Sequence, residues 1–164
     1  MTETLTHIAC RRVNGPSVGQ GFQFLEGIRG YLGSNENLIV EDEILGVSAV
    51  TNDRIAMQED GSFLVLGRLD DVINSGGIKI FPDQVEKYLR PHVPGNFAIV
   101  KAKDEKLSEK VICLFDDETF DYTRLNWSVV FSLHPYWKPR EFIHVKVLPY
   151  NTNGKLIREW KYEE

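Results

Sequence analysis

From residue 8 to about residue 67, apolar positions come in short runs cut off by Gly, Asn or Asp: Ile8 to Val13, Phe22 to Gly27, Ile28 to Leu32, Asn37 to Val40, Ser48 to Val50 and Phe63 to Leu66. Runs of that length between turn formers predict strand after strand, and nothing in this half has helical periodicity. Glu59-Asp60-Gly61-Ser62 lies between two apolar runs. An Asp followed by a glycine that accepts left-handed backbone predicts a hairpin there.

After Gly67 the texture changes. Pro82 to Leu89 opens with a proline suited to a first helical turn, carries acids near that positive end, and sets Val85, Tyr88 and Leu89 at i, i+3, i+4. These features predict a short amphipathic helix. Asn96 to Ala102 and Val111 to Phe115 have strand length, the second unbroken as in a strand buried on both faces. Lys103 to Lys110 reads as a polar connection between them. Leu125, Val129 and Leu133 recur at fourfold spacing, Thr119 offers an N-cap and Asp121 falls in the first turn, which predicts a second helix from about Thr119 to Leu133. Ile143, Val145 and Val147 alternate with His144 and Lys146, the pattern of a half-buried strand, and the chain closes on a polar loop and a short segment from Gly154 to Trp160. The expected fold class is α+β: a small all-β piece over 1–68, then an α+β piece over 69–164. The composition breaks near Gly67-Arg68 without a Pro- or Ser-rich linker.

Composition narrows the function classes. The chain has 164 residues, 42% apolar and 26% charged, which fits a globular protein and argues against disorder, collagen-like repeats and coiled coil. That length permits a real core but not a large two-domain enzyme with its own complete cleft. Nineteen basic against 24 acidic side chains leave a formal charge of −5, and the Lys and Arg residues are scattered. No basic stripe faces a phosphate backbone, so nucleic acid is not an expected partner. Cys10 and Cys113 are far apart, with no CxxC pair and no Cys/His cluster at metal-ligand spacing, which suits a reducing compartment. The N-terminus lacks a cationic start and an apolar stretch, and no window approaches the ~18 apolar residues of a membrane span. A cytoplasmic protein with no membrane partner is expected.

Three stretches could carry chemistry: Thr51-Asn52-Asp53-Arg54; Gly67-Arg68-Leu69-Asp70-Asp71 leading into Asn74-Ser75-Gly76-Gly77-Ile78-Lys79; and Leu148-Pro149-Tyr150-Asn151-Thr152-Asn153-Gly154-Lys155. Each also has a bland reading. An Asp at a strand end is ordinarily a turn former, a double Gly a hairpin, and Asn-Gly-Lys an exposed turn with a solvated lysine.

Taken together and in this order, GRLDDVINSGGIKIFPDQVE followed some seventy residues later by LPYNTNGKLIR resembles the C-terminal domain of the adenylate-forming acyl-CoA synthetases. The opening MTET is similar to the end of that family's GMTE segment, and TNDR with QEDGSFLVLGR is similar to its TGD…DG…GR stretch. TETLTHIACRRVNG, TND in place of TGD, and VINSGGIKI look most like the O-succinylbenzoate–CoA ligases of menaquinone biosynthesis. Other aryl or acyl acid–CoA ligases share the GRxDD and NGK elements, and peptide-synthetase adenylation domains belong to the same superfamily.

The resemblance implies a fold, a reaction and a set of roles. Residues 1–68 would be the β-rich, barrel-like end of a large AMP-binding domain, and residues 69–164 a mobile lid domain. The family joins a carboxylate to ATP, releasing pyrophosphate, and then exchanges AMP for CoA; ATP, Mg²⁺ and CoA are the implied cosubstrates, none permanently bound. Lys155 matches the adenylation lysine, a compact charge on a Gly-containing loop. Asp53 matches the acid that accepts both ribose hydroxyls, and Arg68 would hold the same ribose or its phosphate. Thr2 and Glu3 match a phosphate-contacting hydroxyl and an Mg²⁺-linked carboxylate. Asp70 matches the hinge at which the lid swings between half-reactions. Ser75, Gly76 and Gly77 would line the pantetheine arm of CoA, while Lys79 stands where many relatives have Arg. The family's Gly-rich phosphate loop has no counterpart here and is expected upstream of Met1. The implied partners are therefore a missing N-terminal adenylation domain and a small aromatic carboxylic acid bound mostly by it, and the chain alone is expected to be inactive. A non-catalytic module that binds CoA, nucleotide or a protein partner is the alternative from another class.

Overall fold

In the computed structural model, which describes residues 7–15, 21–117, 119, 121–122, 125–132 and 134–162, the apolar runs of the first half are strands. They are β1 (Ala9–Cys10), β2 (Gln23–Phe24), β3 (Ile28–Leu32), β4 (Asn37–Asp42), β5 (Val47–Met57) and β6 (Phe63–Arg68). The last four form an antiparallel sheet in the order β3-β4-β5-β6, and β1 pairs with β2. Residues 22–24 reach both edges of that sheet. Phe22 exchanges backbone hydrogen bonds with Phe63 of β6 (2.7 and 2.9 Å), while the ring of Phe24 lies where a Cβ on Gly30 of β3 would stand. A segment that touches both edges requires the sheet to curl, and Ile8, Leu38, Val40, Ile55 and Phe63 are buried together as its core. The predicted hairpin is present between β5 and β6: Gly61 has φ +79°, and Asp60 Oδ1 accepts from both the amide (3.0 Å) and the hydroxyl (2.7 Å) of Ser62. Those bonds favour the ionised carboxylate and lower its pKa.

The chain divides into two units, Met1–Asp70 and Asp71–Glu164. The second contains β7 (Ile73–Ser75), β8 (Ile78–Ile80), α1 (Pro82–Leu89), β9 (Phe97–Asp104), β10 (Ser108–Phe115), α2 (Trp127–Val130) and β11 (Glu141–His144). Its spine is β10, which pairs antiparallel with β9 along its whole length, parallel with β11 at Ile112 to Phe115, and with β7 at Ser108. Every residue from Val111 to Phe115 is buried. Val111, Cys113 and Phe115 face a cluster with Ile73, Ile80, Val85, Leu89 and Phe131; Ile112 and Leu114 face Ala98, Val100 and Leu148. α1 begins with its proline as predicted and buries Pro82, Val85 and Leu89.

Three sequence expectations need correction. The helix predicted from Thr119 to Leu133 is confined, among the described residues, to Trp127–Val130. Before it the Leu125 amide donates to the Tyr122 carbonyl (3.3 Å) and the Trp127 amide to the Leu125 carbonyl (3.0 Å), and Thr119 donates to Asp117 rather than capping a helix. Aromatic packing wins over helical spacing here: Tyr122 stacks on Phe142 with ring centroids 4.9 Å apart, and Trp127 lies 4.5 Å from the same ring. Second, the polar stretch from Lys103 to Lys110 is mostly strand, since β9 runs to Asp104 and β10 begins at Ser108. Its charges pair across strands, as Lys110 does with Glu141 (2.5 Å). Third, the alternation after β11 stops short: Ile143 and Val145 pack on the core, but Val147 is 75% exposed.

Two predictions follow from this core. Ile112→Ala should lower the stability of the second unit to urea by about 2–5 kcal/mol, whereas Val147→Ala should change it by less than about 0.5 kcal/mol. Cys10 is exposed and Cys113 is buried. Burial, and after it the negative charge of Glu86, pushes the Cys113 thiol up to about 12. At pH 8 a thiol reagent should therefore label Cys10 in the native protein and Cys113 only after denaturant is added. Because the unfolded thiol ionises near its ordinary 9.0 and the folded one near about 12, its contribution to stability is intact below pH ~9 and is lost as pH rises between those values.

Candidate functional site

The first group of site residues sits where β5 departs from regular pairing. Arg54 pairs with Asn37 and Val50 with Ile39, so four steps along β5 match two along β4 and two residues are extra on β5. On the other side Arg54 and Ile55 face Gly67 and Val65, which leaves Leu66 extra on β6. Bulges of this kind re-aim side chains. Gly67 takes φ +139°, open to a residue without Cβ. The buried Asn37 holds the irregular stretch by donating from Nδ2 to the Thr51 carbonyl at 2.9 Å, and the Asp53 amide donates to Thr51 Oγ1 at 3.1 Å.

The result is a line of polar groups. Asp53 pairs in register with Arg68, whose Nη1 lies 3.5 Å from Asp53 Oδ1 and whose Nη2 donates to Asp70 Oδ2 at 3.0 Å. Asn52 Nδ2 donates to the same Asp70 oxygen at 3.0 Å. The Asp53 side chain is 29% exposed and that of Arg68 is 45% exposed, so these pairs contribute at most ~1 kcal/mol each to stability and serve mainly to orient the groups. Asp53 is left with carboxylate oxygens that can accept hydroxyl hydrogens, beside a cation that suits an anionic ligand.

The second group lies on the β7–β8 turn. Ser75 faces Ile78, and Gly76 (φ +60°) and Gly77 (φ +85°) fill the two turn positions, both with the positive φ that the tight hairpin needs. The Gly76 amide donates to the Leu107 carbonyl at 2.8 Å, tying the turn to the β9–β10 connection. A cavity of about 510 Å³ opens beside it, lined by Ser75, Gly76, Leu107, Tyr136, Lys138 and Arg140 among others. Lys79, exposed on β8, is not part of that lining.

Lys155 is on the third. Asn151 closes its turn: the Asn151 amide donates to the Lys155 carbonyl (2.8 Å), and Asn151 Oδ1 accepts from the amides of Asn153 and Lys155, each at 2.9 Å. Gly154 supplies φ +71°, and Tyr150 bridges Leu156. The lysine side chain is exposed. Beyond the turn the chain runs parallel to β9, with Lys101 N donating to Arg158 O (2.8 Å) and Trp160 N to Lys101 O (2.7 Å). It thus covers the outer edge of β9, whereas β7 and its glycine turn lie beyond the other edge of β10. Lys155 and Gly76-Gly77 stand at opposite edges of one sheet.

The structure therefore brings Asp53, Arg68 and Asp70 together in the first unit and, in the second, keeps Ser75 with Gly76 and Gly77 and places Lys155 apart from them in its own turn. Thr2 and Glu3 lie outside the described residues. Among the described residues no group of three or more His, Cys, Asp or Glu could hold a metal ion, and no helix is long and apolar enough to cross a membrane. Reading the sequence did not single out Asn151, Lys138, Arg140 or Arg158. Arg158 is buried among carboxylates, and its only linear signal is its position three residues after Lys155.

No family profile matches the chain. Individual proteins do. Acyl-coenzyme A synthetase ACSM5, mitochondrial, of Mus musculus is 31% identical over 138 residues, covering 78% of this chain and 23% of that protein. The 2-succinylbenzoate–CoA ligase of Bacillus licheniformis is 36% identical over 110 residues, covering 66% of this chain and 23% of that protein. This chain thus spans about a quarter of the length of these curated relatives. Among solved structures, the o-succinylbenzoate CoA synthetase from Bacillus subtilis, in complex with the acyl-adenylate intermediate OSB-AMP, superimposes with a TM-score of 0.79 at 20% identity over 96% of this chain and 39% of that one. At that identity the likeness establishes the fold.

Removing the Asn151 side chain tests the closure of the Lys155 turn. Asn151→Ala should speed amide exchange at Asn153 and Lys155 by about fivefold, the equivalent of one lost hydrogen bond of ~1 kcal/mol. Asn151→Asp, which keeps the accepting oxygen, should leave both slow in a hydrogen-exchange NMR series.

Proposed function

For a chain that matches the C-terminal part of the AMP-forming acyl-CoA synthetase family, we propose that it supplies the ribose-holding acid, the interdomain hinge and the adenylation lysine of an ATP-dependent acid–CoA ligase. In the first half-reaction a carboxylate oxygen attacks the α-phosphorus of ATP and pyrophosphate leaves; in the second, the CoA sulfur attacks the acyl carbon and AMP leaves. The first gathers negative charge on phosphate and carboxylate oxygens, and a cation placed against them lowers the barrier. Lys155 has that role. The observation that carries the assignment is its setting: a primary amine exposed at the end of a flexible stem, on a backbone turn locked by Asn151.

The other residues divide the remaining work. Asp53 accepts the ribose hydroxyls and Arg68 offsets the charge of the nucleotide beside it. Asp70, at the division between the two units, is the hinge, and the backbone torsions there set which face of the second unit meets the bound acyl adenylate. For the thioester step the cavity beside Ser75, Gly76 and Gly77 takes CoA: the glycines admit a narrow pantetheine chain, and Lys138 and Arg140 on the cavity wall suit its phosphates. The remainder of the site, including the pocket for the acid and any Mg²⁺ held through Glu3, belongs to residues this structure does not describe, so no step is assigned to the metal. The acid we propose is o-succinylbenzoate, favoured by the identity to the Bacillus licheniformis ligase. The longer match to the mouse acyl-CoA synthetase favours a different carboxylate as the second reading.

The test uses a polypeptide that also carries the upstream adenylation part. Lys155→Ala should lower adenylate formation, followed by pyrophosphate release, by about 10²–10³-fold, as expected for loss of a charge that acts mainly in the transition state. Thioester formation from supplied acyl adenylate should change by less than about twofold. Equal loss of both half-reactions would overturn the role of Lys155. Pyrophosphate release with o-succinylbenzoate, benzoate and an aliphatic acid in parallel decides between the two acids.

A further inference from the structure

The most heavily buried cation described in the second unit is not Lys155 but a residue three positions further on. The Arg158 side chain is 10% exposed. Its Nη1 donates to the Ile99 carbonyl of β9 (2.8 Å) and to Glu86 Oε1, and its Nη2 donates to Asp83 Oδ1 (2.7 Å) and Glu86 Oε2 (3.2 Å). Its Nε lies 4.0 Å from Asp71 Oδ2. Glu86 completes the arrangement by accepting from the Ile99 amide at 2.7 Å. Burial disfavours the charged guanidinium, but hydrogen bonding and attraction from Glu86, with Asp83 and Asp71 behind it, more than offset that cost and hold its pKa above the ordinary Arg value.

One planar fork therefore joins four places in the fold: the first turns of α1, the backbone of β9, the terminal segment that carries Lys155, and the first residue after the Asp70–Asp71 division. An ammonium, with three donors on a single nitrogen, cannot supply the four hydrogen bonds that the two guanidinium nitrogens make to Ile99, Asp83 and both Glu86 oxygens. The backbone of Arg158 is itself part of the parallel pairing with Lys101. A shift of Arg158 would thus loosen the exit of the Lys155 turn, whose entry is closed separately by Asn151.

We infer that Arg158 is a positioning residue for Lys155: it fixes the lysine-bearing turn to β9 and α1 and ties that turn to Asp71 beside the hinge. This inference rests on the reading of Lys155 as the adenylation lysine, and deepens it by naming what aims the amine.

The experiment has two arms. In the 164-residue chain, Arg158→Lys should speed amide exchange at Lys155, Ile157 and Trp160 by about tenfold or more, with Ile112 and Leu114 of β10 unchanged, as for a local opening. In the polypeptide that includes the adenylation part, Arg158→Lys should lower kcat for adenylate formation by about tenfold or more, leave KM for ATP within about twofold, and spare thioester formation from supplied acyl adenylate. Asp83→Asn, which keeps Arg158 and removes one partner, should move exchange and adenylation in the same direction by a smaller factor; it carries the test if Arg158→Lys does not fold. Unchanged exchange at Lys155, or parallel loss of both half-reactions in step with a lowered Tm, would overturn the positioning role. Lys155→Ala is run alongside. If that variant adenylates normally, the reading of Lys155 fails, and the exchange arm alone still decides whether Arg158 holds the turn.

Discussion

Five consecutive residues of β10 have no solvent-facing side, and that constraint organises the second unit. Val111, Cys113 and Phe115 fill one cluster while Ile112 and Leu114 fill another, so the strand cannot shift without emptying space on both faces. Close packing makes such displacement costly at the level of single methylenes. Everything with chemical interest is then attached to strands whose places are fixed by β10. The Ser75-Gly76-Gly77 turn is held beyond one edge through Ser108 and Leu107, and the terminal segment is held beyond the other through Lys101 of β9. In the first unit the same office falls to the sheet formed by β3 to β6, but there the site occupies the place where pairing is irregular. Asp53 faces Arg68 because one residue, Leu66, is extra on β6.

Magnitudes separate the contacts that hold the fold from those that arrange the site. The Arg68 links to Asp53 and Asp70 are solvent-accessible, and pairs of that kind contribute at most ~1 kcal/mol; their value is in direction, since one guanidinium orients two carboxylates with different assignments. Arg158 belongs to the other class. Its pair with Glu86, whose side chain is 16% exposed, is the desolvated one, and removing one partner of such a pair costs more than breaking a surface pair, whereas Asp83 is 45% exposed and contributes less. With three carboxylates about one guanidinium, loss of the cation would leave like charges facing one another in α1 and at Asp71.

The sequence made local features legible and long-range ones not. α1 could be read because its proline, its early acids and the spacing of Val85, Tyr88 and Leu89 all lie within eight residues. The hairpin at Asp60-Gly61 and the doubly buried run of β10 were readable for the same reason. The segment before Trp127 misled because the fourfold spacing of Leu125, Val129 and Leu133 says nothing of Phe142, the ring against which Tyr122 and Trp127 pack. Lys103 to Lys110 looked like a loop because its charges have partners only across the sheet. At the site, the motif resemblance pointed to Asp53, Arg68, the glycine turn and Lys155. It could not convey the bulge that sets Asp53 against Arg68, nor Arg158, whose partners Asp71, Asp83, Glu86 and Ile99 are all more than fifty residues away in the chain.

The way Lys155 is held bears on how it can act. Asn151 closes the turn from within and Arg158 fastens its exit, so the lysine backbone cannot travel far relative to its own sheet without breaking several hydrogen bonds at once. That leaves two motions for the amine: rotation of its four-carbon stem, which changes its reach by a few ångströms, or movement of the second unit as a body. The function proposed for Lys155, which brings the amine to phosphate for one half-reaction and clears it for the next, asks for more than stem rotation provides. In that proposal the larger displacement is assigned to the residues where the units divide, Asp70 and Asp71. Asp70 is bound by Arg68 and Asn52, and Asp71 lies beside Arg158, so two adjacent residues are each held by a cation of their own unit. A rigid lysine turn is therefore compatible with the proposed hinge: hydrogen bonds within the second unit fix the Lys155 backbone to its own sheet.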